Sequence, residues 1–251
     1  MTEEIATTLA DGVQTIRLNR PEKKNAITAA MYSAMANAIE SAEQDEAVRV
    51  IAFAGSGDSF SSGNDIEDFL QRGASAGDEI PVRRFLTSIS SATKPLIAGV
   101  NGLAVGIGVT LLLHCDLVYA AENATFQLPF TNLGLVPEAS SSMLLPQMIG
   151  YHRAAELMLL GEKFGAQRAL EIGLVNAVVP ADKLADVVRG RAGVLAAKPP
   201  SSVRATKALL KREAESVSDR MAVEAAEFSR LLQSPEAKAI MQAFLDRRKP
   251  A

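Results

Sequence analysis

Apolar positions run along this chain in two distinct periods. Val13 to Leu18 is a short β-rich run. Thr28 then stands as a cap before Met31, Ala34, Met35, Ala38, Ile39 and Ala42, whose i, i+3, i+4 spacing predicts a helix. Val48 to Ala54, Pro95 to Val100 and Leu117 to Ala120 are continuously apolar rather than alternating, as strands are when a sheet is covered on both faces. From Tyr151 onward the pattern is mostly helical, interrupted by the strand-like stretch Leu174 to Val179 before Pro180. Pro199-Pro200 opens a further helical block, 201 to about 247, rich in Ala, Lys and Glu. No repeat or low-complexity tract breaks the pattern. An α/β core of about 190 residues with a smaller helical tail is the architecture this predicts.

Composition narrows the function classes. The 251 residues are 48% hydrophobic and 22% charged, enough for a large core. A net charge of −3 and a pI near 5.6 provide no electrostatic footprint for nucleic acid. A lone cysteine, Cys115, excludes an internal disulfide and suits a reducing compartment. The acidic start MTEEIATTL lacks secretory and transit patterns, and no apolar run reaches the ~18 residues of a membrane span. A cytoplasmic protein with no membrane partner is the expectation. Two histidines and one cysteine argue against zinc.

Three segments carry candidate chemistry, each with a plainer alternative. In FSSGNDIEDF (60–69), Gly63 permits a tight turn and Asn64-Asp65 open a helix with Ile66, Phe69 and Leu70. Unpaired N–H groups near Asn64 suit a negative oxygen, or the segment is an ordinary capped turn. In NGLAVGIGVTLLLHCD (101–116), Gly102, Gly106 and Gly108 precede an apolar helix, so amides near Ile107 are approachable, or the glycines serve close packing. No third glycine completes a dinucleotide fingerprint. In LGLVPEASSSM (133–143), Glu138 sits among Leu133, Leu135 and Met143. Walled by them, its pKa rises toward that of a general base; otherwise it is a solvated first-turn acid. His114 and Cys115 read as core residues, Ser140 to Ser142 lack a nucleophile elbow, and Lys23 and Lys24 are a solvated turn or a phosphate contact.

Taken together, LNRPEKKNAI, FSSGNDIEDF, KPLIAGVNGLAVGIG, CDLVYAAENATFQLPFTNLGLVPE, GEKFGAQRALEIGLVNAVVP and SPEAKAIMQAFLDRRKP resemble the crotonase superfamily, the enoyl-CoA hydratase/isomerase family, over nearly the whole chain. The resemblance implies a crotonase-like spiral of ββα units over 1–195 and a C-terminal helical trimerisation region over 196–251. It also implies a homotrimer or homohexamer, an acyl-CoA thioester substrate, no metal and no cofactor beyond the coenzyme A of the substrate. Residue by residue, it places oxyanion amides at Asn64 and Ile107, where isoleucine replaces the commoner glycine and narrows the approach. Ser62, Gly63, Asp65, Ile66, Gly106 and Phe130 fall along the same site. Lys24 and Ala26 meet the adenosine end of coenzyme A, and Lys23 a phosphate. Where hydratases carry two glutamates this chain has Thr110 and Phe130, and Glu138 stands where one group of 3,2-enoyl-CoA isomerases has its catalytic acid. A delta isomerase is therefore the expected activity, with an atypical hydratase, a CoA-thioester hydrolase or dehalogenase, or a non-catalytic acyl-CoA or RNA-binding module as rivals. Residues 70 to 92 are the expected pocket wall, with RGASAGDE as a mobile loop, and Asp116 is a structural acid.

Overall fold

The computed structural model describes residues 4–68, 81–212 and 215–246, with side chains as far as 243. The predicted helix positions Phe69 and Leu70, the RGASAGDE segment and the basic cluster Arg247 to Lys249 lie outside these. The chain forms two compact units, Met1–Ala196 and Ala197–Ala251.

In the first unit, β1 (Ile5–Ala10) and β2 (Val13–Leu18) form a hairpin through Asp11-Gly12, both with positive φ. Such a left-handed pair matches the right-handed twist of the strands it joins, and Asp-Gly is among its strongest sequence signals. β1 is absent from the predicted elements. Helix α1 (Ala29–Gln44) follows, with the Thr28 side chain accepting from Met31 N at 3.2 Å. Next come β3 (Val50–Gly55), β4 (Ser59–Ser61), α2 (Pro81–Ser91), β5 (Leu96–Val100) and β6 (Leu103–Val105). A single helical turn, α3 (Ile107–Thr110), passes into a 3-10 turn, Leu111–His114, where a longer helix was expected. β7 (Leu117–Ala121) and β8 (Thr125–Gln127) precede α4 (Ser141–Ile149), α5 (Tyr151–Leu160), β9 (Phe164–Gly165), α6 (Ala166–Glu171), β10 (Ala177–Val179) and α7 (Leu184–Ala196).

Successive strands divide between two sheets. β1-β2-β3-β5-β7-β10 form one, parallel except for the first pair; β4-β6-β8-β9 form the other, parallel except for the last. Each turn of chain (β3-β4, β5-β6, β7-β8) thus lays one strand on each sheet, the spiral of ββα units that the resemblance implied. The large sheet is covered on both faces, which explains its continuously apolar strands. Ile51, Phe53, Leu96 and Ala98 face the main core with Met31, Met35 and Ile39 of α1. Val50, Ala52, Ile97 and Tyr119 face a second cluster with Leu184 and Ala192 of α7.

The second unit contains α8 (Pro200–Leu210), α9 (Val217–Leu232) and α10 (Pro235–Asp246). Ser216 caps α9 by accepting from Asp219 N, and Ser201 donates to Glu236 at 2.6 Å. Among the described residues, no helix is long and apolar enough to cross a membrane.

Candidate active site

The two glycine segments lie side by side because β4 and β6 pair in parallel. The approach is close: a Cβ on Gly63 would stand 3.0 Å from the Val105 carbonyl oxygen, and one on Gly108 would stand 2.9 Å from that of Ser61. Ile27 N donates to Gly63 O at 2.8 Å and Asp65 N to Ile27 O at 2.9 Å, a bridge that skips the Asn64 N–H. On the other segment, Gly106 adopts φ 54°, ψ −116°, a conformation that L side chains rarely reach. Its carbonyl accepts from Val109 N and Thr110 N, so the Ile107 N–H opens the turn with no intrahelical acceptor. Neither the Asn64 nor the Ile107 N–H donates to an acceptor among the described residues. The Ile107 side chain is fully buried in the main core, so it does not narrow the approach to its own amide as the sequence suggested.

The turn from Lys23 to Ala26 is tied to the same segment. Ser62 N donates to Lys24 O at 2.9 Å and Ser62 Oγ to Lys23 O at 3.3 Å, while both lysines are exposed. The anchor is buried, left-handed Asn25, whose Nδ2 donates to Ser56 O and Ser59 O and whose Oδ1 accepts from Arg20 N. Arg20 donates to Ala26 O at 3.1 Å and pairs with Asp65 at 2.6 Å. Asp65 is held below the ordinary carboxylate range by that hydrogen bond and by the Asp68 N–H. Its carboxylate is committed to the loop, and Ile66 points outward with 60% exposure.

Glu138 is half-buried, and its Oε1 lies in the interior without a hydrogen-bond partner. Desolvation raises its pKa to about 7. It precedes α4 by three residues, so it is not the solvated first-turn acid of the plainer reading. The expected wall is a correction: Leu133 (58%), Leu135 (47%) and Met143 (54%) are exposed. Glu138 instead lies close enough to buried Tyr32 for its charge to add to the desolvation that lifts the Tyr32 hydroxyl pKa. Tyr32 Oη in turn donates to Asn64 Oδ1 at 2.5 Å, on the first glycine segment. Phe85 of α2 packs against the Tyr32 ring, centroids 5.4 Å apart.

The turn carrying the acid is strained. Ala139 and Ser140 both have φ 55°, a left-handed conformation that costs a non-glycine residue roughly 1–2 kcal/mol. Ser141 N and Oγ donate to Glu138 O at 2.9 and 2.6 Å, and His114 Nε2 lies 2.9 Å from Ala139 O. Thr110 and Phe130 are buried, and the Thr110 hydroxyl has no partner. Tyr32 thus bonds Asn64 and feels the charge of Glu138, while His114, which ends the run that starts at Ile107, contacts the residue after Glu138. Asn25, Tyr32 and His114 were not singled out as site residues from sequence. A polar residue at a helix-core position was the available signal for Tyr32. Asp116 Oδ2 accepts from Leu96 N at 2.7 Å, a structural contact. Among the described residues, no cluster of three His, Cys, Asp or Glu side chains could hold a metal ion.

Comparison with known proteins agrees with this construction. The model of the enoyl-CoA hydratase/isomerase family matches residues 8–251. "Enoyl-CoA delta isomerase 2" of Rattus norvegicus is 40% identical over 83% of this chain and 54% of its own length, so the chain spans about half of that relative. "1,2-epoxyphenylacetyl-CoA isomerase" of Escherichia coli K12 is 32% identical over 100% of this chain and 98% of its own. A solved structure from Magnetospirillum magneticum AMB-1, whose name couples enoyl-CoA hydratase with carnithine racemase, superposes with a TM-score of 0.94 at 45% identity, covering 100% and 98% of the two chains. The spiral, the paired glycine segments and the matched family model make this chain a member of the enoyl-CoA hydratase/isomerase family.

Proposed function

We propose that the protein is an enoyl-CoA delta isomerase, moving the double bond of a 3-enoyl-CoA to the 2-position. The observation that carries the reading is the desolvated carboxylate of Glu138, whose buried Oε1 has no partner, in the neighbourhood of Tyr32 and so of Asn64, with Thr110 and Phe130 unable to serve as bases. The thioester oxygen is held between the Asn64 and Ile107 N–H groups. Ionised Glu138 takes a proton from C2, and the electron pair spreads over C2, C4 and the thioester oxygen as a dienolate. The protonated acid then returns the proton to C4, leaving C2=C3. Each amide contributes ~3 kcal/mol in the transition state, where the oxygen carries its charge. Buried Phe130 keeps water from the intermediate. The reaction as written uses no metal or redox cofactor, since coenzyme A arrives with the substrate. Ser62, Gly63 and Gly106 line the thioester, and Lys23, Lys24 and Ala26 meet the nucleotide end.

Purified protein given 3-enoyl-CoA and 2-enoyl-CoA tests the reading. Isomerisation of the first is expected, and rapid hydration of the second without isomerisation would overturn it. Glu138→Gln keeps the size of the side chain but removes the base, so kcat should fall at least ~10²-fold with acyl-CoA binding retained by calorimetry. The acid limb of the kcat/KM profile should fall near pH 7, where desolvation places Glu138.

A further inference from the structure

The imidazole of His114 takes no part in the proton transfer, yet it is only 7% exposed and sits beside the acid's turn. It ends the 3-10 turn Leu111–His114 that continues from Ile107, and its Nε2 lies 2.9 Å from Ala139 O. A carbonyl oxygen only accepts, so Nε2 carries the hydrogen of this contact. Ala139 and Ser140 hold left-handed backbone without being glycine, which persists only where surrounding contacts over-determine it. Ser141 braces the turn from within, on the Glu138 carbonyl; His114 braces it from another element.

Space is available for the turn to relax. A cavity of about 490 Å³ adjoins it, lined by Arg83, Leu86 and Thr87 of α2 together with His114, Ala139 and Ser140. Among the described residues, the titratable groups around the turn include Arg83 from α2, Tyr32 from α1, His114 and Glu138 itself.

The geometry points to His114 as a positioning residue that fixes the Glu138 carboxylate relative to the Ile107 amide. One short run of chain holds an oxyanion donor at its start and the base's turn at its end. This rests on Glu138 acting as the base. His114→Leu removes the donor, so kcat on 3-enoyl-CoA should drop about tenfold or more while KM stays within about twofold. The acid limb should also move down from near pH 7 toward the ordinary glutamate range, because a released carboxylate regains water. Glutamine places an N–H donor where the imidazole Nε2 stands, so His114→Gln should recover kcat to within about threefold. His114→Asn, polar but too short to reach Ala139 O, should behave like the leucine variant, and it supplies the comparison if His114→Leu does not fold. The inference is overturned if Leu or Asn leaves kcat and the acid limb unchanged, or if Gln is as impaired as Asn. Glu138→Gln, assayed in parallel, separates the two claims. Turnover in that variant removes the base assignment, whereas an inactive Glu138→Gln beside silent His114 variants removes only the role of His114.

Discussion

At the scale of single residues, Glu138 is an acid whose charge the folded chain resists. Its folded pKa of about 7 lies above the ordinary 4.5, so the native state binds the proton more tightly than the unfolded chain. Its contribution to stability is complete below about pH 4.5 and is lost as pH rises through 7. Replacement by glutamine, which never ionises, should therefore stabilise the fold increasingly with pH. The gain between pH 5 and 8 should be ~2 kcal/mol, read by urea unfolding at the two pH values. An equal effect at both would show that Glu138 is already solvated. The residue itself was legible in sequence because a carboxylate between Pro137 and apolar neighbours is out of place. Its surroundings were not. Leu133, Leu135 and Met143 adjoin it in sequence but point outward, while Tyr32 reaches it from more than a hundred positions away. Distance along the chain hides such a neighbour from any local pattern.

Among elements, caps and close approaches hold the site in register. Fully buried Lys94 places its ammonium on the carbonyls that end α1, bonding Ala42 O and, at 2.6 Å, Asp45 O. A cation there completes the carbonyls that a helix leaves unpaired. Lys94→Met keeps the stem and strips the charge, so unfolding free energy should fall by ~2 kcal/mol or more, measured by urea titration. Gly108 plays a different part. Alanine there places its Cβ 2.9 Å from Ser61 O and 3.2 Å from Ser61 Cβ, so the two glycine segments must separate. If the proposed reaction is the one catalysed, misplacing these segments should matter, and Gly108→Ala should lower kcat about tenfold, measured at saturating 3-enoyl-CoA. The long strands and α1 were readable because their apolar runs exceed one turn of pattern. β4, β6 and β8, three residues each, carry too few positions to show a period, and they are the strands that set the glycine segments side by side.

For the whole molecule, the order of motifs carried more than any one of them. The glycine segments had plainer readings singly, and only their sequence along the chain resembled a known family. The division of strand pairs between two sheets follows from chain order in the same way. Assembly is a separate matter, since burial in one chain does not report it. The resemblance implies three or six copies, and sedimentation equilibrium should return that multiple of 26.6 kDa. A monomer mass at micromolar concentration would rule this out.

Both proposed oxyanion donors belong to the peptide backbone, and the Ile107 side chain is spent entirely on packing. An alanine scan would therefore leave both donors in place, registering position 107 as a stability residue and nothing more. Only exchange of an amide for an ester linkage, which deletes the N–H and spares the side chain, would reveal what that position does.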